Sequence, residues 1–414
     1  MSIKTDTVNT IVGQEIPRVL ASREEALAAV AALCERIAAR AEQTEKNRSV
    51  PEETIRELTD AGLFGIVTPR MGGGSELGFA TLLEVQSEIA SACASTGWVY
   101  GVLAGHTWLV ALFSEKAQAE VFADPRALVA SLIRFGGEAP ERVEGGFRWR
   151  GGRGRFCSGI DHSQWVLLGG TVTEDDGTAE QWYLLVHRSE VEIVDDWHAV
   201  GLKGTGSKSI VIKDAFIPEH RAVRFADLGA GRAPGAELHM GGLYRLAYDS
   251  VWPLSLAGAV IGAARGALEE FTAATSRRLE SLPPLLQASN GPALARLAKA
   301  AAQIDAMAGL LRSDALQSDN ASEGTVYTPL DKARRSRNLA FAAQQLRASV
   351  NDLYESAGGS GVYTSAAIQR WWRDVNAAAS HVAFTWDLAS VAYGRQATGI
   401  GALSGAGTGP AVRS

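Results

Sequence analysis

The stretch Arg155-Phe156-Cys157-Ser158-Gly159-Ile160-Asp161-His162-Ser163-Gln164-Trp165 decides how this chain is read. It puts a hydroxyl, Ser158, at the end of a predicted strand and just before a glycine, where the backbone is free to turn. Its companion is Ala379-Ser380-His381-Val382. There the apolar spacing from Ile368 to Leu388 predicts one long helix carrying a lone imidazole.

Outward from that stretch the chain divides into blocks of different period. Up to about Asp124 the signals are helical. Ser22 with Glu25 forms a capping-box pattern, and Ser49 with Glu52 repeats it with Pro51 inside the first turn. From Ala127 to Val223 the chain is strand-rich. Val143-Glu144-Gly145-Gly146-Phe147 reads as a hairpin, and Trp165–Gly170, Gln181–His187, Val191–Val194 and Ser209–Ile212 read as short strands of a sandwich or barrel. Beyond Leu243, apolar residues recur at helical spacing through Val251–Phe271, Leu294–Leu311, Leu339–Tyr354 and Ile368–Leu388, predicting a four-helix bundle. The expected domains are 1–126, 127–235 and 236–395, with a flexible tail over 396–414.

Composition narrows the function. The chain has 414 residues, 46% hydrophobic and 21% charged, with net charge −6. That is an ordinary globular balance, and it argues against a basic nucleic-acid surface. Cys34, Cys93 and Cys157 are too far apart for a metal-ligand spacing and give no disulfide framework. No signal pattern is seen over Met1–Arg18. The longest apolar stretch, Trp98–Phe113, is too short to span a bilayer, so a cytoplasmic protein is expected. The glycines of Gly201-Leu202-Lys203-Gly204-Thr205-Gly206 have the wrong spacing for a dinucleotide fingerprint.

Five motifs in order carry a family resemblance. They are the Ser158 stretch; Trp197–Ser207 with Phe216-Ile217-Pro218; Gly262-Ala263-Ala264-Arg265-Gly266-Ala267-Leu268; Gly358-Gly359-Ser360-Gly361; and Gln369–Asp374. Together they resemble the flavin-dependent monooxygenases built on the acyl-CoA dehydrogenase fold. That fold is α+β: an N-terminal helical domain, a central β-barrel or sandwich and a C-terminal four-helix bundle. The resemblance implies the oxygenase component of a two-component system. Such a component uses FMNH2 or FADH2 delivered by a separate NAD(P)H:flavin reductase. It reacts with O2 through a C4a-hydroperoxyflavin and hydroxylates an aromatic, phenolic or fused-ring molecule.

The same resemblance implies roles for residues. Phe156, Cys157 and Ser158 match the flavin-contact motif, with the Ser158 hydroxyl at flavin N5. His381 stands where a dehydrogenase has its carboxylate base, and an imidazole titrating near neutrality suits deprotonation of a phenol. His106, in Leu103-Ala104-Gly105-His106-Thr107-Trp108, matches a second histidine of that branch and is expected to bind substrate or share the proton transfer. Apart from the resemblance, Trp98, Trp165 and Trp252 are read either as lining an aromatic cavity or as core packing. Arg278, or Arg277 on register, and Gly358 with Gly359 match groups that reach flavin from a neighbouring subunit, so a homotetramer is implied; the other reading of the two arginines is a basic helix end satisfying carbonyls. Between Ser131 and Ala139 the chain departs from the aromatic hydroxylases. Arg134 there is read either as recognising an anionic or carbonyl group of the substrate, or as a salt-bridge partner of Glu138.

Two rivals share the fold. One is an N-oxygenase of an amine such as an amino sugar. The other is an acyl-CoA dehydrogenase with Glu269 or Glu270 as base. A third, from another class, is a catalytically silent flavin-binding scaffold. His162, His187, His198, His220 and His239 read as structural or solvent-facing.

Overall fold

The computed structural model describes residues 16–400, apart from 175, 284–286, 288–289 and 323–324. Six helices come first: α1 (Arg23–Ala39), α2 (Ala41–Asn47), α3 (Glu52–Asp60), α4 (Phe79–Ala92), α5 (Ala94–Val110) and α6 (Glu115–Phe122). Ser22 caps α1 by accepting from Glu25 N. The second capping expectation is corrected: Pro51 is the residue before α3 and makes no side-chain cap. The Ser49 hydroxyl instead donates to Asp161 at 3.1 Å. Every residue of α5 is buried, so this helix runs through the core with no solvent face.

Eleven strands follow among the described residues: β1 (Val129–Leu132), β2 (Gly136–Gly137), β3 (Glu141–Val143), β4 (Gly146–Trp149), β5 (Gly152–Cys157), β6 (Trp165–Thr173), β7 (Ala179–His187), β8 (Val191–Val194), β9 (Lys208–Ile212), β10 (Ala215–Pro218) and β11 (Ala222–Arg224). They form three sheets, in the orders β1-β6-β7-β11, β10-β4-β3 and β2-β5-β9-β8. The expected hairpin is β3–β4, with Gly145 at φ 77° in its turn. A bulge in β5 interrupts pairing with β9 between Gly154 and Cys157, directly before Ser158.

Two short helices, α7 (Phe225–Gly229) and α8 (Tyr248–Val251), lead to the long helices α9 (Leu254–Glu280), α10 (Gly291–Asp319) and α11 (Pro329–Ser356). The predicted fourth long helix is two. α12 (Ala367–Ala378) stops before His381, a short 3-10 turn covers Val382–Phe384, and α13 runs Trp386–Thr398. So His381 lies at a break between helices and not inside one, and the first residues of the expected tail are helical. The rest of that tail, from 401, lies outside the described residues, as do residues 1–15. The most apolar long span is Tyr248–Glu280 rather than Trp98–Phe113; 83% of its apolar window is buried in the protein, as a core helix requires.

Candidate functional site

A cavity of about 780 Å³ opens where α5, the start of α9 and the α12–α13 break meet the edges of β1 and β5. Its size lies in the upper part of the range for small-molecule sites, about 300–1,000 Å³. Trp98, His106, Ser158 and His381, which are far apart in sequence, all line it. So do Arg134 and Phe156. No carboxylate does among the described residues.

Ser158 sits in a directed chain of hydrogen bonds. Trp98 Nε1–H donates to Ser158 Oγ at 3.1 Å. Ser158 Oγ lies 2.7 Å from Ser207 Oγ, and Ser207 Oγ lies 2.6 Å from Thr205 Oγ1. Thr205 donates its proton to the Leu202 carbonyl at 2.9 Å, because a carbonyl only accepts. Each hydroxyl has one proton. Thr205 therefore accepts from Ser207, and Ser207 accepts from Ser158. The Ser158 proton is committed away from the cavity, so the oxygen offers its remaining lone pair to a donor. Gly159 at φ 71° makes the turn that lets this happen, with the Leu103 side chain packed where a Cβ would begin.

The loop carrying that chain is held from below. Leu202 N donates to the buried Asp374 carboxylate at 2.6 Å, and Arg373 donates to the Val200 carbonyl at 2.8 Å. Any side chain at Gly201 would strike the Arg373 carbonyl. Burial pushes Asp374 up to about 6.

The two histidines present opposite faces. His106 is fully buried. Its Nδ1 lies 2.8 Å from the Val129 carbonyl, so Nδ1 carries the proton. In the neutral ring Nε2 is then a free acceptor, and Ser131 Oγ lies 2.9 Å from it. His381 is the reverse. Its Nδ1 accepts from Ala383 N–H at 3.2 Å, which leaves the proton of the neutral ring on Nε2. Its ring stands edge-on to Trp98, centroids 5.5 Å apart. Burial pushes both rings down to about 4, because the charged form loses its hydration. Both are neutral near pH 7.

The other predicted residues fall in three places. Phe156 lines the cavity, 67% exposed, at φ 73°, with its ring edge-on to Trp197. Cys157 faces the other way and is fully buried, and burial pushes its thiol far above the usual range. Its side chain does not line the cavity. Arg134 lines the cavity and makes no salt bridge to Glu138. Arg278, Gly358 and Gly359 do not line the cavity of their own chain; Arg278 donates to Asn290 at 2.8 Å. Glu269 and Glu270 also lie outside it. Of the tryptophans considered, Trp252 stacks on His106 with centroids 5.7 Å apart, whereas Trp165 is packed elsewhere under Arg221.

Sequence reasoning missed Ser131, Thr205, Ser207 and Arg155. Ser131 carries no local signal, because its partner His106 lies 25 residues earlier, on a different element. Among the described residues no cluster of His, Cys, Asp and Glu could hold a metal.

Residues 21–127 match the family described as acyl-CoA dehydrogenase, N-terminal domain, and residues 254–386 match acyl-CoA dehydrogenase, C-terminal domain. The chain is 35% identical to a pigment production hydroxylase of Rhodococcus sp. over 90% of its length and 96% of that protein's. It is 34% identical to the oxygenase component of an FADH(2)-dependent resorcinol hydroxylase of Rhizobium sp., over 90% and 93%. The crystal structure of the 3-HSA hydroxylase from Rhodococcus sp. RHA1 superposes with a TM-score of 0.84 at 30% identity, covering 91% of this chain and 97% of that one.

Proposed function

We propose that this chain, which belongs to the acyl-CoA dehydrogenase family and within it to the oxygenase components of flavin-dependent monooxygenases, hydroxylates a phenolic ring with His106 as the base. Reduced flavin, when bound, supplies two electrons to O2, so that one oxygen atom enters the ring and the other leaves as water. A separate flavin reductase supplies the reduced flavin.

The residues fit that cofactor. Reduced flavin carries an N–H at N5, and Ser158 offers it an acceptor whose own proton is tied to Ser207. Oxidised flavin has a bare nitrogen there and would face an oxygen lone pair. The polarity of the chain from Trp98 to Leu202 thus favours the reduced form. Phe156 and Trp197 supply aromatic surface at the mouth of the same cavity.

The observation that carries the base assignment is the pair His106–Ser131. The phenolic proton passes to Ser131 Oγ as the Ser131 proton passes to His106 Nε2, over 2.9 Å. Val129 holds the tautomer that makes this possible. A phenolate is the stronger carbon nucleophile, so proton removal raises the rate of oxygen transfer. His381, read from the sequence as the base, has its Nδ1 lone pair engaged by Ala383 N–H. Its role is that of an Nε2–H donor to an oxygen that gains charge in the cavity. Val102, Leu132 and Ile133 keep the wall apolar and limit water. The chain is proposed to assemble as a homotetramer, in which Arg278, Gly358 and Gly359 complete a neighbour's flavin site.

The test supplies the purified chain with photoreduced FMN or FAD and a panel of phenols, then admits 18O2. Labelled catechol or hydroquinone products are expected, with no consumption of NADH by the chain alone. Bleaching of bound oxidised flavin by an acyl-CoA, without labelled product, would instead establish a dehydrogenase.

A further inference from the structure

Among the described residues, two arginines at the cavity mouth have no partner. Arg134 and Arg155 both line the cavity, both are exposed, and neither makes a hydrogen bond, ion pair or ring contact. Their neighbours behave differently. Arg126 pairs with Asp60, Arg142 with Glu174, Arg148 with Asp214, Arg150 with Glu141 and Arg153 with Asp196. In this part of the chain arginines find carboxylates wherever they can. The two that do not are the two that face the cavity.

The strand register brings them together. β2 pairs with β5 as Gly136↔Arg153 and Gly137↔Gly152. Because that pairing is antiparallel, Arg134, just before β2, and Arg155, in the β5 bulge, lie at the same end of the strand pair. The Phe135 ring packs over Gly152 and Gly154. Like charges on neighbouring segments repel. Among the described residues no carboxylate lines the cavity to offset them. A chain of net charge −6 has carboxylates to spare, yet presents only positive charge here. Paired guanidinium forks match the geometry of phosphate and carboxylate oxygens.

We propose that Arg134 and Arg155 form a binding site for an anionic oxygen group, a phosphate or a carboxylate, at the cavity mouth. The flavin phosphate is one source and an acidic substituent of the phenol is the other. The proposal rests on the oxygenase reading only for which molecules enter the cavity.

The experiment titrates wild type, Arg134→Gln/Arg155→Gln and Arg134→Lys/Arg155→Lys with two pairs of probes, by fluorescence or calorimetry. FMN and riboflavin, in reduced form under argon, differ by the phosphate alone. 4-Hydroxybenzoate and phenol differ by the carboxylate alone. If wild type prefers FMN about tenfold or more and the Gln pair does not, the phosphate is the ligand. The same pattern with hydroxybenzoate over phenol assigns the substrate. The Lys pair should keep part of whichever preference wild type shows. A wild type without either preference, or a Gln pair that keeps it, overturns the anion site while leaving flavin binding intact. A wild type that binds neither flavin overturns the oxygenase reading and this site with it. Both side chains are exposed, so the variants should match wild type in melting temperature.

Discussion

The Ser131 hydroxyl lies 2.9 Å from Nε2 of His106, a fully buried imidazole, and both residues line the cavity. The base therefore acts through a neighbour's oxygen. Ser131→Ala is expected to leave flavin affinity unchanged and to slow hydroxylation by roughly 10²-fold, the lower end for general-base catalysis. The rate should recover as pH rises and the phenol ionises in solution. His381→Ala should slow the reaction without that recovery, because it removes a donor and not a base. A pH–rate profile of both variants with one phenol decides this. If His381→Ala is the one rescued by high pH, the two histidines have been assigned the wrong way round.

Burial of His106 makes stability depend on pH. The folded ring is held down to about 4, while in the unfolded chain it titrates at about 6.5. As pH falls the unfolded chain takes the proton first. The contribution is complete above about 6.5 and is lost as pH falls from there to about 4, a difference on the order of 3 kcal/mol. His381 shifts the same way. Calorimetric melting from pH 7 to 4 should show a steeper fall in wild type than in His106→Gln. Equal slopes would mean that the ring charges without unfolding.

The hydroxyl chain is expected to set redox preference. Ser158→Ala removes the acceptor and should weaken reduced-flavin binding by about 1–3 kcal/mol. Hydrogen peroxide should then rise at the expense of product. Ser207→Ala keeps Ser158 but frees its proton to turn toward the cavity. That variant should bind oxidised flavin more tightly than wild type does, and the ratio of reduced to oxidised affinity should fall. An unchanged ratio would show that the polarity of Ser158 is not fixed by Ser207.

Phe156 is a non-glycine residue at φ 73°, on the β5 bulge, with its ring in the cavity mouth. Such a backbone costs roughly 1–2 kcal/mol. Phe156→Gly relieves that cost and removes the aromatic surface. The variant is expected to melt no lower than wild type while binding flavin more weakly. A lower melting temperature with unchanged flavin affinity would make Phe156 a packing residue.

Assembly is open to a direct measurement. On and beside α13, Val382, Leu388 and Val391 are 60%, 51% and 55% exposed, an apolar surface suited to a second copy. Leu388→Lys/Val391→Lys should shift light scattering from tetramer toward smaller species and weaken flavin binding together. A wild-type monomer with full hydroxylase activity would rule out a site completed by Arg278, Gly358 and Gly359 of a neighbour.

Much of this molecule is determined by the sequence alone, wherever the determining physics is local. A glycine pair turns the β3–β4 hairpin, Ser22 caps α1, and period-2 and period-3.6 patterns separate the strands from the helices. Motif matches also pick out the cavity residues Ser158, His106, His381 and Phe156, whereas Arg134 stands out only as a departure from the family pattern and Trp98 carries no motif. The helix break at His381 was not legible, because apolar residues on both sides keep helical spacing and the sequence does not show that the ring accepts from Ala383 N–H. Ser49 was read as a cap because its sequence context allows one; tertiary packing against Asp161 took the hydroxyl instead. What only the tertiary structure decided is polarity. A histidine's spare lone pair depends on which nitrogen meets a carbonyl, and for His106 that carbonyl belongs to Val129 on another element. A serine's proton depends on which hydroxyl lies next to it, and for Ser158 that is Ser207, 49 residues away. Sequence names the groups that can donate or accept, whereas the direction of each bond follows from contacts made only when distant segments pack.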